Sequence, residues 1–177
     1  MRDMEEALGL ESRRKIFEYV SKNPGTYLRE MERELAMQPG LLSYHLDYLE
    51  KRELLRTEDD GYRRRYFPSD RFRLRDRKVV PLLRVESPRR IVIHLLINGS
   101  TSFGNLVEAM GVSKSTMSHH LKRLTKAGVV QAERVERETA YRVNGPEEVA
   151  DILISLRESL ESDAVDRFVD IWRKLGR

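Results

Sequence analysis

The chain has 177 residues, 40% apolar and 35% charged, with a net charge of only +4 and no cysteine. That charge content exceeds the globular average of about 25%, yet apolar residues recur regularly enough to exclude a disordered chain, and no run approaches the roughly 18–20 uncharged residues of a membrane span. The missing cysteine removes disulfides, thiolate metal sites and a Cys nucleophile at once.

The opening Met1-Arg2-Asp3-Met4-Glu5-Glu6 lacks the apolar core of a signal peptide, so a cytoplasmic protein is expected. Residues 3–9 then predict a short helix. Residues 12–22 predict a longer one with Ile16, Tyr19 and Val20 inward, ended by Asn23-Pro24-Gly25. Helices follow at about 27–36 and about 38–52; Pro39 suits a first helical turn, where its missing N–H is no loss. Leu54–Glu58 and Tyr62–Phe67 predict strands joined at Asp60-Gly61, a type I′ turn signal. Residues 69–86 read as a basic linker holding another short helix, tied to a core by Leu82 and Leu83.

The same order then returns. A helix is predicted over 87–97 with Ile91, His94 and Leu95 inward, then helices at about 102–110 and 113–127, and strands over 129–134 and 139–143. Adding 75 to the residue number places Ser12 on Ser87, Ile16 on Ile91, Ser43 on Ser118, His45 on His120, Leu46 on Leu121 and Tyr66 on Tyr141. Apolar positions that are not identical match in kind, as in Leu28/Phe103, Met31/Leu106 and Leu54/Val129. Two copies of one small domain account for this pattern. Three helices followed by a β-hairpin is the winged helix-turn-helix plan. The expected fold is mainly α with small β-hairpins (α+β): winged domains at 1–68 and 87–143, the linker at 69–86, and a helical segment at 144–177.

Charge is unevenly placed. Between Gly61 and Lys78 eight bases stand against Asp70 and Asp76, whereas the segment from Pro146 onward is acidic. On the helix opening at Ser113, Met117, Leu121 and Leu124 share one stripe and must face the core. The opposite face then offers Lys114, Ser115, Thr116, Ser118, His119, Lys122 and Arg123, with Lys126 beyond and no acid on the helix. Short polar groups at the leading end of such a helix can reach base edges in a major groove, while Lys and Arg meet phosphates.

The run Val112-Ser113-Lys114-Ser115-Thr116-Met117-Ser118-His119-His120-Leu121-Lys122-Arg123-Leu124, with Ala127-Gly128-Val129-Val130, resembles the recognition helix of ArsR/MarR-type winged-helix regulators. The first copy, from Asn23-Pro24-Gly25 through Arg29-Glu30-Met31 to Ser43-Tyr44-His45-Leu46, resembles archaeal regulators with two such domains in tandem. The resemblance covers about residues 12–143 and implies a transcriptional regulator of double-stranded DNA.

The first copy departs from the second. Its third helix carries Asp47 and Glu50, which phosphates repel, leaving Gln38, Gly40, Ser43 and Tyr44 as candidate DNA contacts. Its wing offers Arg63, Arg64 and Arg65 to the backbone or minor groove. Arg134 and Arg137 are the counterparts on the second wing, diluted by Glu133, Glu136 and Glu138. The two copies are therefore expected to divide the work unequally.

Beyond Pro146, with Glu147 and Glu148 favouring its dipole, a helix is expected to break at Ser162-Asp163. Val149, Ile152, Leu153, Leu156, Leu160, Val165, Phe168 and Trp172 form an apolar stripe too long for one small domain to cover. They predict a homodimer interface, and a dimer would present four winged domains to a palindromic or extended operator. No cofactor is expected. The four histidines lack ligand spacing with acids, which argues against a metal. No glycine-rich phosphate loop or nucleophile–base arrangement points to an enzyme. The alternative is a protein-interaction module of transcription or chromosome machinery, which the acids of the first copy favour.

Overall fold

The computed structural model describes residues 2–176. It divides into two compact units that meet in sequence at Pro81 and Leu82. In the first, α1 (Arg2–Ala7) and α2 (Glu11–Lys22) precede β1 (Thr26–Tyr27), α3 (Leu28–Leu35), α4 (Pro39–Lys51) and the hairpin of β2 (Leu55–Asp59) and β3 (Arg64–Pro68). Helix α5 (Leu74–Leu83), with Pro81 inside it, contains the boundary. The second unit continues with α6 (Glu86–Asn98), β4 (Thr101–Ser102), α7 (Phe103–Met110), α8 (Lys114–Lys126), β5 (Val130–Val135) and β6 (Glu138–Val143). It ends with α9 (Pro146–Ser155), α10 (Arg157–Leu160) and α11 (Asp163–Lys174). Among the described residues no helix is long and apolar enough to cross a membrane.

The 75-residue repeat holds through the architecture. Strands β1 and β4, helices α3 and α7, and helices α4 and α8 coincide end to end under the shift. Both sheets have three antiparallel strands, in the orders β1-β3-β2 and β4-β6-β5. Thr26 pairs with Tyr66 as Thr101 pairs with Tyr141. In the first unit the helices close over Ile16, Val20, Met31, Leu42, Leu46 and Leu49, with Leu55 and Tyr66 supplied by the hairpin. The second unit buries Ile91, Leu95, Leu106, Met117, Leu121 and Leu124 at the corresponding places. Three left-handed backbone positions also correspond, and each carries glycine in one copy only: Ala36 and Gly111, Glu53 and Gly128, Glu136 and Gly61.

Most sequence-predicted elements lie within two residues of the observed ones, and both short leading helices are present. Three differences are physical. First, β1 and β4 were not expected, because two-residue strands have no readable period. Second, the first hairpin turns one residue later than predicted. Asp60 N donates to Arg63 O at 3.1 Å, so the turn centres on Gly61 and Tyr62, and only Gly61 (φ +87°) takes the left-handed region. That is not the type I′ geometry, which needs it at both central residues.

Third, the residues expected at a homodimer interface are core. Val149, Ile152, Leu153, Leu156, Val165, Phe168 and Trp172 are at most 7% exposed within the single chain, and Leu160 is half-buried. Breaks at Leu156 and at Glu161 (φ +43°) cut the segment into three helices, and α11 folds back onto α6, α9 and α10. The stripe is covered by its own unit.

Candidate nucleic-acid interface

Helix α8 starts at a well-formed cap. Ser113 Oγ accepts from Thr116 N at 3.1 Å and shares a 2.9 Å hydrogen bond with Thr116 Oγ1, satisfying one of the orphan N–H groups of the first turn. The apolar stripe Met117, Leu121 and Leu124 is buried as its four- and three-residue spacing requires. Lys114, Ser115, Thr116, Ser118, His119, Lys122 and Lys126 are exposed, and Arg123 is half-buried. Among the described residues none of the four cations on this helix pairs with a carboxylate. Arg134 and Arg137 are exposed on the wing formed by β5 and β6, while Arg142 of the same hairpin pairs with Glu133.

The first unit is built on the same frame and carries a different charge pattern. Gln38, Gly40 and Tyr44 are exposed and Ser43 is half-buried. Its wing arginines are engaged within the unit. Arg65 is only 7% exposed; its Nε donates to Asp60 Oδ2 at 2.7 Å and its guanidinium to Gly25 O at 3.0 Å. The expectation that Arg65 meets DNA is thereby corrected: strand β1 pairs edge to edge with β3, placing Tyr27 opposite Arg65 in the ladder and the Gly25 carbonyl within reach of its guanidinium. Arg64 is tied to Glu50 of α4, which also accepts from Thr57 Oγ1 at 2.9 Å. Arg63 is exposed but stacks 4.2 Å from the Tyr27 ring centroid. Arg71 and Arg77 of the same basic run donate to the Ser21 and Phe72 carbonyl oxygens. Arg64, Arg65 and Arg77, the last 3.8 Å from Glu58, thus have carboxylate partners within the unit, and that part of the run's positive charge is compensated internally.

The titratable groups follow this pattern. Burial opposes ionisation of Asp60, but the Arg65 hydrogen bond and the backbone N–H groups of Tyr62 and Arg63 outweigh it and hold its carboxyl below the ordinary range. Burial lowers the imidazoles of His45 and His120, which occupy one repeat position; the charges of Arg13 beside His45, and of His119 and Arg123 beside His120, act in the same direction. Among the described residues no group of three or more His, Cys, Asp or Glu could hold a metal ion.

Residues 10–80 match the family model of an N-terminal HTH domain, and residues 86–132 match that of bacterial regulatory proteins of the arsR family. The chain carries two helix-turn-helix domains. The tandem HTH chain is 27% identical over 143 residues to an uncharacterized HTH-type transcriptional regulator of the archaeon Methanocaldococcus jannaschii. That match covers 80% of this chain and 36% of the relative, so the chain spans about a third of the relative's length. Among solved structures, the transcriptional repressor PagR of Bacillus anthracis is 21% identical, over 45% of this chain and 91% of that one, with a TM-score of 0.40. A homodimeric winged helix-turn-helix DNA-binding domain from Mycobacterium bovis is 25% identical, over 50% and 78%, with a TM-score of 0.39.

Sequence reasoning placed the exposed face of α8 and its cap. It missed the intramolecular partners of Arg64 and Arg65, for which the only local signal was the acids at Glu50 and Asp60. It also passed over Leu41, whose place on the solvent side of α4 was readable from helical spacing alone.

Proposed function

We propose that the protein is a transcriptional regulator that binds double-stranded DNA through its second HTH domain, with α8 in the major groove. The observation that carries this is the surface of α8: four cations on one helix, no acid, and no ion pair to any of them among the described residues. Lys114, Lys122, Arg123 and Lys126 would meet phosphates, while Ser115, Ser118 and His119 would reach base edges. Thr116 would support the leading turn, since its hydroxyl is shared with Ser113. Arg134 and Arg137 would lay the wing on the backbone or in the minor groove.

A homodimer is part of this reading, resting on residues other than those expected from the sequence. Ile171 on α11 and Leu175 at its C-terminal cap remain exposed, and Ile171 lines a groove with Ile93, His94, Ile97 and Arg167. Sedimentation of the full chain against an Ile171→Glu variant tests the dimer: a shift to monomer supports it, and unchanged mass removes α11 from the interface.

Duplex binding at two salt concentrations tests DNA recognition. With about five phosphate contacts, affinity should fall a few hundredfold between roughly 50 and 200 mM salt. An absence of duplex binding at low salt would overturn the reading. Selection from random duplexes would then give site length and symmetry.

A further inference from the structure

The two HTH domains are an internal comparison, because α4 and α8 correspond residue for residue. Along the solvent side, Thr116 of α8 becomes Leu41 of α4, His119 becomes Tyr44 and Lys122 becomes Asp47. Leu41 is 48% exposed and Tyr44 is 61% exposed, and Asp47 is exposed on the same stripe at three-residue spacing. At the wing tip the change runs the same way, with Tyr62, 86% exposed, standing where the second unit has Arg137. Glu50 replaces Thr125 and neutralises Arg64. Three of these changes lower the attraction for a phosphate backbone: a cation gives way to Asp47, another to Tyr62, and a neutral threonine to Glu50.

We infer that the α4 face of the first HTH domain is a docking surface for a polypeptide that presents an apolar side chain flanked by lysine or arginine. Leu41 and Tyr44 supply apolar area that water does not favour. Aromatic anchors of this kind concentrate binding energy at protein interfaces. Asp47, three residues from Tyr44 on the stripe, sets the sign of the partner's charge, because Asp47 and Glu50 together outnumber the one cation that faces them, Arg64. Farther from the apolar pair the charges balance, with Lys51 and Arg52 beside Glu53 and Arg63 near Asp59, but next to the pair stands Asp47, where the second unit has a cation. This inference does not depend on whether the second domain binds DNA.

The test uses the full chain and a displayed library of random peptides, counter-selected against the L41T/Y44H/D47K variant, which carries the side chains of α8 at these positions. Recovered peptides are expected to hold Leu, Ile or Phe beside Lys or Arg. They should bind the native chain at least about tenfold more tightly than the variant and weaken as salt rises from about 0.1 to 0.5 M. Asp47→Asn, a near-isosteric change, should weaken them even if the triple variant folds poorly. Peptides that are acidic, or that bind native and variant chains alike, would overturn the inference. So would a tenfold loss of duplex affinity in Tyr44→Ala, which would assign this face to DNA. Lys114→Ala and Lys122→Ala report on the second domain separately.

Discussion

Arg65 and Asp60 form a nearly buried ion pair that braces the first wing, with Nε and Oδ2 2.7 Å apart and side-chain exposures of 9% and 17%. Asp60 also accepts from the backbone of Tyr62 and Arg63, so one carboxylate fixes both the turn and the strand that follows. Replacing Arg65 by Ala should destabilise the chain by about 2–3 kcal/mol, the usual scale for charge-assisted hydrogen bonds left unmade in a buried site. Duplex affinity should stay within about twofold of the native chain when both are compared well below their melting points. Chemical denaturation beside a binding titration checks both halves.

The cations of α8 should behave differently from Arg65. Lys114→Ala and Lys122→Ala should each weaken binding across all duplex sequences and lower the salt slope by about one, with melting temperature little changed. Ser118→Ala and His119→Ala should instead alter which sequences are preferred. Titrations at several salt concentrations against a panel of duplexes separate the two effects.

Loss of the Ser113 cap should cost about 1 kcal/mol in Ser113→Ala, because Thr116 N loses its acceptor. Ser113→Asn or Ser113→Asp should restore most of it, and thermal melting of the three variants checks the order.

Acid should destabilise the fold before the carboxylates titrate. His45, His94 and His120 all have imidazole pKa values lowered by burial. The unfolded chain then binds protons more readily than the folded one, so stability is fully present above the unfolded histidine value of about 6.5 and declines as pH falls toward the lowered folded values. Urea midpoints measured at about pH 7.5 and 5.5 should differ, and an H45Q/H120Q variant should flatten the difference. Equal midpoints in the native chain would exclude the effect.

How much was legible in the residues depended on how local the cause was. The helices announced themselves through spacing, as with Met117, Leu121 and Leu124, and through Ser113 as a cap. The repeat announced itself through matched pairs such as His45 and His120. What stayed hidden was set by how the turn folds and by partners distant in sequence: Arg65 is held by Asp60 across the hairpin turn and by the Gly25 carbonyl, 40 residues away. The apolar stripe from Val149 to Trp172 was plain, but a stripe does not say what covers it. Here the cover is the same unit, and Phe168→Ala should therefore cost about 3–5 kcal/mol of stability rather than only dissociate a dimer.

The paired left-handed positions have a practical consequence. At Ala36, Glu53 and Glu136 a side chain sits in a conformation that its sister residue resolves with glycine. Relief of that strain exceeds the added freedom glycine gives the denatured chain, for a net gain of order 0.5 kcal/mol per site. Each half of the molecule thus supplies a template for engineering greater heat resistance into the other, without recourse to any second protein.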